Sequence, residues 1–144
     1  MPQSLSNILI HLIFSTKLRY PYISKEIRQE FYNYMTGIAK AYNVPVHEMG
    51  GIEDHVHMLI SLPRVLAISK FVEELKKGSS KWIKTKGLRY EKFSWQRGYG
   101  ALSIGQSSYD GLRQYIRNQE EHHKKVSFQD EYRSFLTKYN YVWD

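Results

Sequence analysis

The chain has 144 residues, a length that suits one compact domain and leaves no room for a second domain of ordinary size. Its 21 lysines and arginines outnumber its 14 aspartates and glutamates, and the net charge of +7 favours a polyanionic partner, nucleic acid before an anionic membrane. The absence of cysteine excludes disulfides and thiolate metal sites, so imidazole, carboxylate, amide or water would have to bind any metal.

The first predicted element is a buried strand at residues 7–16, which are β-branched and apolar except for His11. The apolar run within it is far shorter than the ~20 residues that span a bilayer. It also lacks the basic segment and cleavage site of a signal peptide. We therefore expect a soluble, cytoplasmic protein that does not act in a membrane.

A helix and two strands are predicted next. Ser24 is placed to cap a helix whose apolar residues recur at helical spacing over residues 27–41. Residues 44–49 predict a short second strand, and Gly50-Gly51 predicts the turn that follows it. The third strand is predicted at residues 55–62 and ends before a proline.

The second half of the chain predicts an amphipathic helix at residues 68–83 and a strand at residues 93–104 that two glycines interrupt. Residues 107–110 match a capping box, which predicts a helix that continues to about His123. Residues 126–144 predict a short helix followed by an irregular end. This order predicts an α+β fold, a ferredoxin-like or RRM-like antiparallel four-stranded sheet with two helices on one face. The extra C-terminal helix is available to the other face, which would be free for a site.

Two histidines on the third strand are the first candidates for chemistry. His55 and His57 are two residues apart, so their side chains project from the same face of a strand. Two neighbouring imidazoles suit a divalent ion in an open site, whereas the alternative is a pair of ordinary polar residues on a half-exposed strand. Asp54 is a candidate to orient an imidazole or, alternatively, to form a turn, and His11 is a candidate to support the pair from the first strand.

Tyr115 and Gln119 are four residues apart and share one face of the predicted helix. A tyrosine can attack a phosphodiester when a cation neutralises the phosphate, and a glutamine amide oxygen can bind such a cation. The alternative is that Tyr115 packs the helix against the sheet, which is equally compatible with the spacing.

Lysines form a stripe on the helix at residues 68–83 and just beyond it. The stripe consists of Lys70, Lys77, Lys81 and Lys84. It would follow the backbone of single-stranded DNA by charge neutralisation, and the alternative is a solvated helix face.

Three segments in this order resemble the single-tyrosine HUH transposases of bacterial insertion sequences. They are His55-Val56-His57, Trp95 to Gly100 and Tyr115 to His123. The resemblance covers nearly the whole chain, which predicts one HUH transposase domain over residues 1–144. It implies His55, His57 and Gln119 as ligands of Mg²⁺ or Mn²⁺ and Tyr115 as the nucleophile that forms a 5′-phosphotyrosine.

The same resemblance implies a partner and an assembly. Members of the family recognise hairpins in single-stranded DNA near the ends of the insertion sequence and act as homodimers. In such a dimer the tyrosine helix can pack on the partner subunit. Alternatives are a related HUH replication or relaxase-type nickase, a metal hydrolase, and a non-catalytic RRM-like nucleic-acid-binding module. A covalent adduct between protein and DNA would separate the HUH enzymes from the last two.

Overall fold

The computed structural model describes residues 4–138, and these contain four strands and five α-helices. The strands are β1 (Leu9–Ser15), β2 (Val46–Ile52), β3 (His55–Ser61) and β4 (Gly100–Ile104). The helices are α1 (Lys25–Ala41), α2 (Ile68–Ile83), α3 (Tyr109–Arg117), α4 (Gln119–His123) and α5 (Phe128–Lys138). The irregular end predicted after the last helix falls mainly on residues 139–144, which lie outside the described residues.

The four strands form one antiparallel sheet in the order β2-β3-β1-β4. The element order and the pairing confirm the predicted α+β class and the ferredoxin-like arrangement. The two central strands are β3 and β1, and their register sets Ser15 opposite His55 and Ile13 opposite His57. The histidine pair therefore lies in the middle of the sheet, where strands flank it on both sides.

One face of the sheet carries the main core, which α1 and α2 cover. Val56, Met58 and Ile60 alternate along β3 and are fully buried with the apolar stripes of those two helices. This is the two-residue periodicity expected of a strand that packs one face on helices. The alternation leaves His55 and His57 on the opposite face.

The opposite face is covered as well. Leu9, Leu59 and Ile116 form a second, smaller apolar cluster between the sheet and α3, and α4 contacts β2. From α5, Phe128 stacks on the His55 ring with centroids 4.3 Å apart. The extra helix therefore lies on this face as expected, and α4 and α5 also fold over it and bury both histidines, so the face is not left open.

The predicted turn at Gly50-Gly51 was also wrong, because β2 continues through both glycines and the turn lies at residues 53–54. A Cβ atom at Gly50 would overlap the Ile116 carbonyl oxygen and lie 3.0 Å from its carbon. Glycine is needed here because it lets the α3 backbone approach the strand.

The strand predicted at residues 93–104 begins only at Gly100. Before it, Trp95 makes a single bridge to Thr16, and its indole donates to Ser79 Oγ at 3.0 Å. Lys76 Nζ holds the following loop by donating to Gln96 O at 2.9 Å and to Gly98 O at 2.6 Å. The aromatic residues that suggested a strand are thus explained by burial against the core rather than by sheet pairing.

Two predicted caps were wrong in detail. Ser24 precedes α1, but its side chain does not cap that helix. Instead, Ser24 Oγ shares a hydrogen bond of 2.6 Å with the Tyr90 hydroxyl. The capping box at residues 107–110 would make Ser107 the cap of α3, whereas Ser107 lies in a 3-10 turn and Ser108 precedes α3 without a capping side-chain bond.

The tyrosine helix was predicted to be continuous to His123, whereas Asn118 breaks it into α3 and α4. Among the described residues, no helix is both long and apolar enough to cross a membrane.

Candidate active site

His55 and His57 lie side by side on β3, with ring centroids 5.1 Å apart, and both side chains are fully buried. The turn before β3 places Asp54 Oδ1 2.8 Å from His55 Nδ1. A carboxylate can only accept this hydrogen bond, so Nδ1 donates and Nε2 of a neutral ring carries the lone pair. Asp54 thus lies in a turn and also orients His55, which combines the two alternatives drawn from the sequence.

His11 lies on β1 on the same face as the histidine pair. Its Nε2 is 2.8 Å from His57 Nδ1, and the two rings stack with centroids 5.0 Å apart. Burial lowers the pKa of His11 to about 3 and that of His57 to about 4. Both rings are therefore neutral at pH 7, and the neutral imidazole is the form that binds metals.

Tyr115 and Gln119 approach the histidines from α3 and α4. Gln119 Oε1 is 3.1 Å from His55 Nε2, and the Tyr115 ring lies edge-on to His57 with centroids 5.8 Å apart. Burial, followed by the interaction with Glu131, raises the pKa of the Tyr115 phenol, which is therefore protonated at neutral pH. The structure brings together the four residues that the sequence singled out for cleavage.

Glu131 on α5 was missed by the sequence analysis, yet its carboxylate lies at the centre of the cluster. Oε1 is 2.9 Å from His57 Nε2 and 3.6 Å from His55 Nε2, while Oε2 accepts a hydrogen bond from the Tyr115 hydroxyl. Burial alone would raise the pKa of Glu131, but the imidazoles and the phenol outweigh it and hold that pKa well below its usual range. Glu131 is therefore ionised although it is buried.

His122 and His123, on α4, were also given no role by sequence. His122 Nε2 is 3.2 Å from the Tyr115 hydroxyl. The His123 ring lies against His55 with centroids 4.4 Å apart, and Glu131 raises its pKa despite burial. The sequence did contain a pattern that could have singled out Glu131. This residue lies three residues after Phe128 and four before Phe135, so a carboxylate stands on the apolar inner stripe of α5.

The donor atoms in this cluster suit a divalent cation. Four residues each offer one ligand atom, and all these atoms lie within 4.8 Å of one another: His55, His57, His123 and Glu131. Two acceptor oxygens face His55 Nε2, Gln119 Oε1 at 3.1 Å and Glu131 Oε1 at 3.6 Å. Acceptors that face one another are stabilised by a cation between them.

A family model described as "Transposase IS200 like" matches residues 4–119. The chain belongs to this family. The IS200 transposase of Salmonella typhimurium is 27% identical over 129 residues, which cover 82% of this chain and 80% of that protein. The ISDra2 transposase TnpA of Deinococcus radiodurans is 26% identical over 116 residues, with 77% of this chain and 83% of that protein covered. Membership implies the DNA-cleaving activity of a transposase.

Two solved structures share the fold. A transposase structure from Deinococcus radiodurans has a TM-score of 0.64 and 23% identity, and the match covers 81% of this chain and 93% of that one. A REP-associated tyrosine transposase bound to a REP hairpin has a TM-score of 0.66 and 17% identity, with 86% and 73% covered. At these identities the likeness establishes the architecture alone.

The basic stripe of this transposase lies apart from the cluster. Lys70, Lys77 and Lys81 are on α2 and Lys84 follows it, whereas the histidines lie on the sheet face that α2 does not cover. Lys70 also pairs with Glu74 at 3.1 Å, which offsets its charge. Any DNA contact by the stripe would therefore lie away from the histidine cluster.

Proposed function

We propose that this transposase cleaves and rejoins single-stranded DNA by transesterification, with Tyr115 as the nucleophile and a 5′-phosphotyrosine as the intermediate. The observation that supports it most is that the Tyr115 hydroxyl and the buried imidazoles of His55 and His57, from a different part of the chain, converge on one carboxylate, that of Glu131. Packing alone would not require a phenol and a carboxylate to face two buried histidines, since polar groups are costly to bury.

The attacking group is the phenol oxygen. It forms a bond to phosphorus while the bond from phosphorus to the 3′ oxygen breaks. The phenol proton is lost to an acceptor, and the 3′ oxygen takes up a proton and leaves as a hydroxyl group. His122 Nε2, at 3.2 Å from the phenol oxygen, is an acceptor within reach of that proton, while the Glu131 carboxylate accepts the phenol's hydrogen bond and orients it. One phosphodiester is exchanged for another, so the reaction needs no nucleotide cofactor.

His55, His57 and Gln119 are the proposed ligands of a divalent ion, Mg²⁺ or Mn²⁺. Such an ion would supply positive charge at the scissile phosphate. Asp54 and His11 position the two imidazoles through the hydrogen bonds of 2.8 Å to their Nδ1 atoms. This division of roles matches the usual pattern at metal sites, where ligating histidines are held by a second hydrogen bond.

The proposed substrate is single-stranded DNA with a hairpin near the ends of the element. The net charge of +7 supports a nucleic-acid partner, and a fold neighbour was solved bound to a REP hairpin. We further propose that residues 1–144 form one transposase domain, that it acts as a homodimer, and that it works in the cytoplasm, where its DNA substrate is found.

Replacing Tyr115 by phenylalanine tests the proposal. Radiolabelled single strands covering the DNA that flanks the coding sequence are incubated with Mn²⁺, and the covalent adduct is measured on denaturing gels. We expect Tyr115→Phe to lose the adduct and still bind DNA, because only the nucleophilic oxygen is removed. The matched control is Tyr109→Phe, whose hydroxyl on the same helix contacts His47 at 3.0 Å, outside the cluster. A normal adduct with Tyr115→Phe would assign the nucleophile elsewhere.

A further inference from the structure

His123 has the properties of a metal ligand that the family match does not reach, since that match ends at residue 119. Its side chain is 3% exposed, and Nδ1 donates to the Val126 carbonyl at 2.6 Å. That bond places the lone pair of a neutral ring on Nε2. Within residues 4–138, Nε2 has no hydrogen-bond partner, and Glu131 Oε2 lies 3.3 Å away without hydrogen-bonding geometry.

The other two imidazoles share the orientation of this ring, although His57 Nε2 hydrogen-bonds to Glu131 and His55 Nε2 to Gln119. Each of the three rings uses Nδ1 for a hydrogen bond outside the cluster, to Asp54, to His11 and to the Val126 carbonyl. Each directs Nε2 towards the Glu131 carboxylate, at 3.6 Å, 2.9 Å and 3.3 Å for His55, His57 and His123. Metal-bound histidines are typically held in this way by their second nitrogen.

We propose that His123 and Glu131 join His55 and His57 in a four-donor site for a transition metal ion. The inference rests on the proposed function in placing an ion at the histidine pair, and it adds two ligands to that pair. Two opposite ligands of one ion bonded at 2.0–2.2 Å lie at most about 4.4 Å apart. Because the four donor atoms already lie within 4.8 Å of one another, small side-chain movements are enough.

The donor set predicts which ion binds. Three imidazole nitrogens and one carboxylate oxygen suit Zn²⁺, Co²⁺ or Mn²⁺, whereas Mg²⁺ prefers an octahedron of oxygen atoms. A site made of His55, His57 and Gln119 would supply only two imidazoles. In the four-donor site Glu131 and His123 take the place that the proposed function gives to Gln119, whose amide nitrogen donates to Glu131 Oε2 at 3.3 Å.

The number of imidazoles can be counted in the unaltered protein. X-ray absorption of the full chain loaded with one equivalent of Zn²⁺, without DNA, resolves the scattering of each bound imidazole ring. We expect three imidazoles and one oxygen ligand. Two imidazoles would overturn the proposal without any variant having to fold.

Metal affinity provides the second test, by calorimetric titration of Zn²⁺ and of Mg²⁺ into the full chain. We expect Zn²⁺ to bind more tightly than Mg²⁺, and His123→Ala to weaken Zn²⁺ binding by about 100-fold or more, beyond the ~10–100-fold loss typical of an outer partner. Glu131→Gln, which keeps the side-chain shape, should weaken it as well. The control is His47→Ala, a histidine on β2 that contacts Ser61 at 2.7 Å outside the cluster. Zn²⁺ binding unaffected by His123→Ala would overturn the proposal.

These results are independent of the cleavage reaction. If Zn²⁺ binds through three imidazoles but no covalent DNA adduct ever forms, the proposed function fails and the metal site stands. If the adduct forms normally and Zn²⁺ is bound by two imidazoles, the function stands and the four-donor site fails.

Discussion

Gly50 lies beneath the helix that carries Tyr115, and substituting it tests how closely that helix must pack on the sheet. Gly50 is buried on β2 directly opposite His57 of β3, where the backbone of α3 crosses it. A Cβ atom there would overlap the Ile116 carbonyl oxygen and lie 3.0 Å from its carbon and 3.2 Å from Cγ2. Because Ile116 is the residue after Tyr115, Gly50→Ala pushes on the proposed nucleophile and not on the imidazoles.

The size of the effect follows from this geometry. Ordinary van der Waals contact would require the strand and the helix to separate by about 1 Å, and misplacement of that size costs roughly 100-fold in rate. The overpacking also costs about 1–3 kcal/mol in the free energy of unfolding. That loss is smaller than the ~5–15 kcal/mol by which domains are usually stable, so the variant should fold.

The assay is the initial rate of covalent adduct formation with single-stranded DNA, measured beside a thermal melt. The matched control is Gly111→Ala, which lies on α3 itself and whose Cβ would meet no atom within 4 Å. Alanine favours a helix over glycine by ~1 kcal/mol, so the control should melt at a higher temperature and react at the normal rate. A folded Gly50→Ala protein that reacts as fast as the wild type would refute the reasoning.

Two further predictions concern the imidazoles and the lysine stripe. His57→Ala should lose cleavage and its dependence on divalent metal together, because the variant removes one arm of the proposed site; unchanged cleavage and an unchanged metal titration would remove His57 from the ligands. Replacing Lys77 and Lys81 together by alanine should weaken DNA binding and reduce its salt dependence by about one unit of slope per lost phosphate contact. An unchanged slope would show that the stripe is a solvated helix face.

The alternation along β3 allowed the fold and half of the site to be predicted. Val56 and Met58 had to face the helices, and this placed His55 and His57 together on the other face. Local sequence was less informative for glycine, because this residue occurs both in turns and where two backbones approach closely. Gly50 reads as a turn residue, but it is required because another helix passes too close for any side chain.

The part of the site that α5 supplies could not be derived from periodicity. An amphipathic pattern predicts α5 and its inner stripe, but it does not say which surface that stripe contacts. Glu131 is a carboxylate on the apolar stripe, and it becomes intelligible only once α5 lies over three imidazoles. The family match gives no help there, because it ends before α5 begins.

The last prediction concerns whether a dimer would share its sites. The resemblance to the HUH transposases allows the tyrosine helix to pack on a partner subunit. Within this chain, however, Gln119 Oε1 already lies 3.1 Å from His55 Nε2, and the Tyr115 ring lies 5.8 Å from that of His57. We therefore expect each chain to complete its own site.

Two heterodimers, purified through different tags, decide the matter, because one of them must be active in either arrangement. The first pairs a His57→Ala chain with a Tyr115→Phe chain, and the second pairs a wild-type chain with one that carries both substitutions. If each chain completes its own site, the first has a lesion in both sites and is inactive, while the wild-type chain keeps the second active. If the tyrosine helices are exchanged, the results reverse, since only the first heterodimer then combines intact histidines with an intact tyrosine. We expect activity from the second heterodimer alone, and activity from the first would show that the helix moves to the partner.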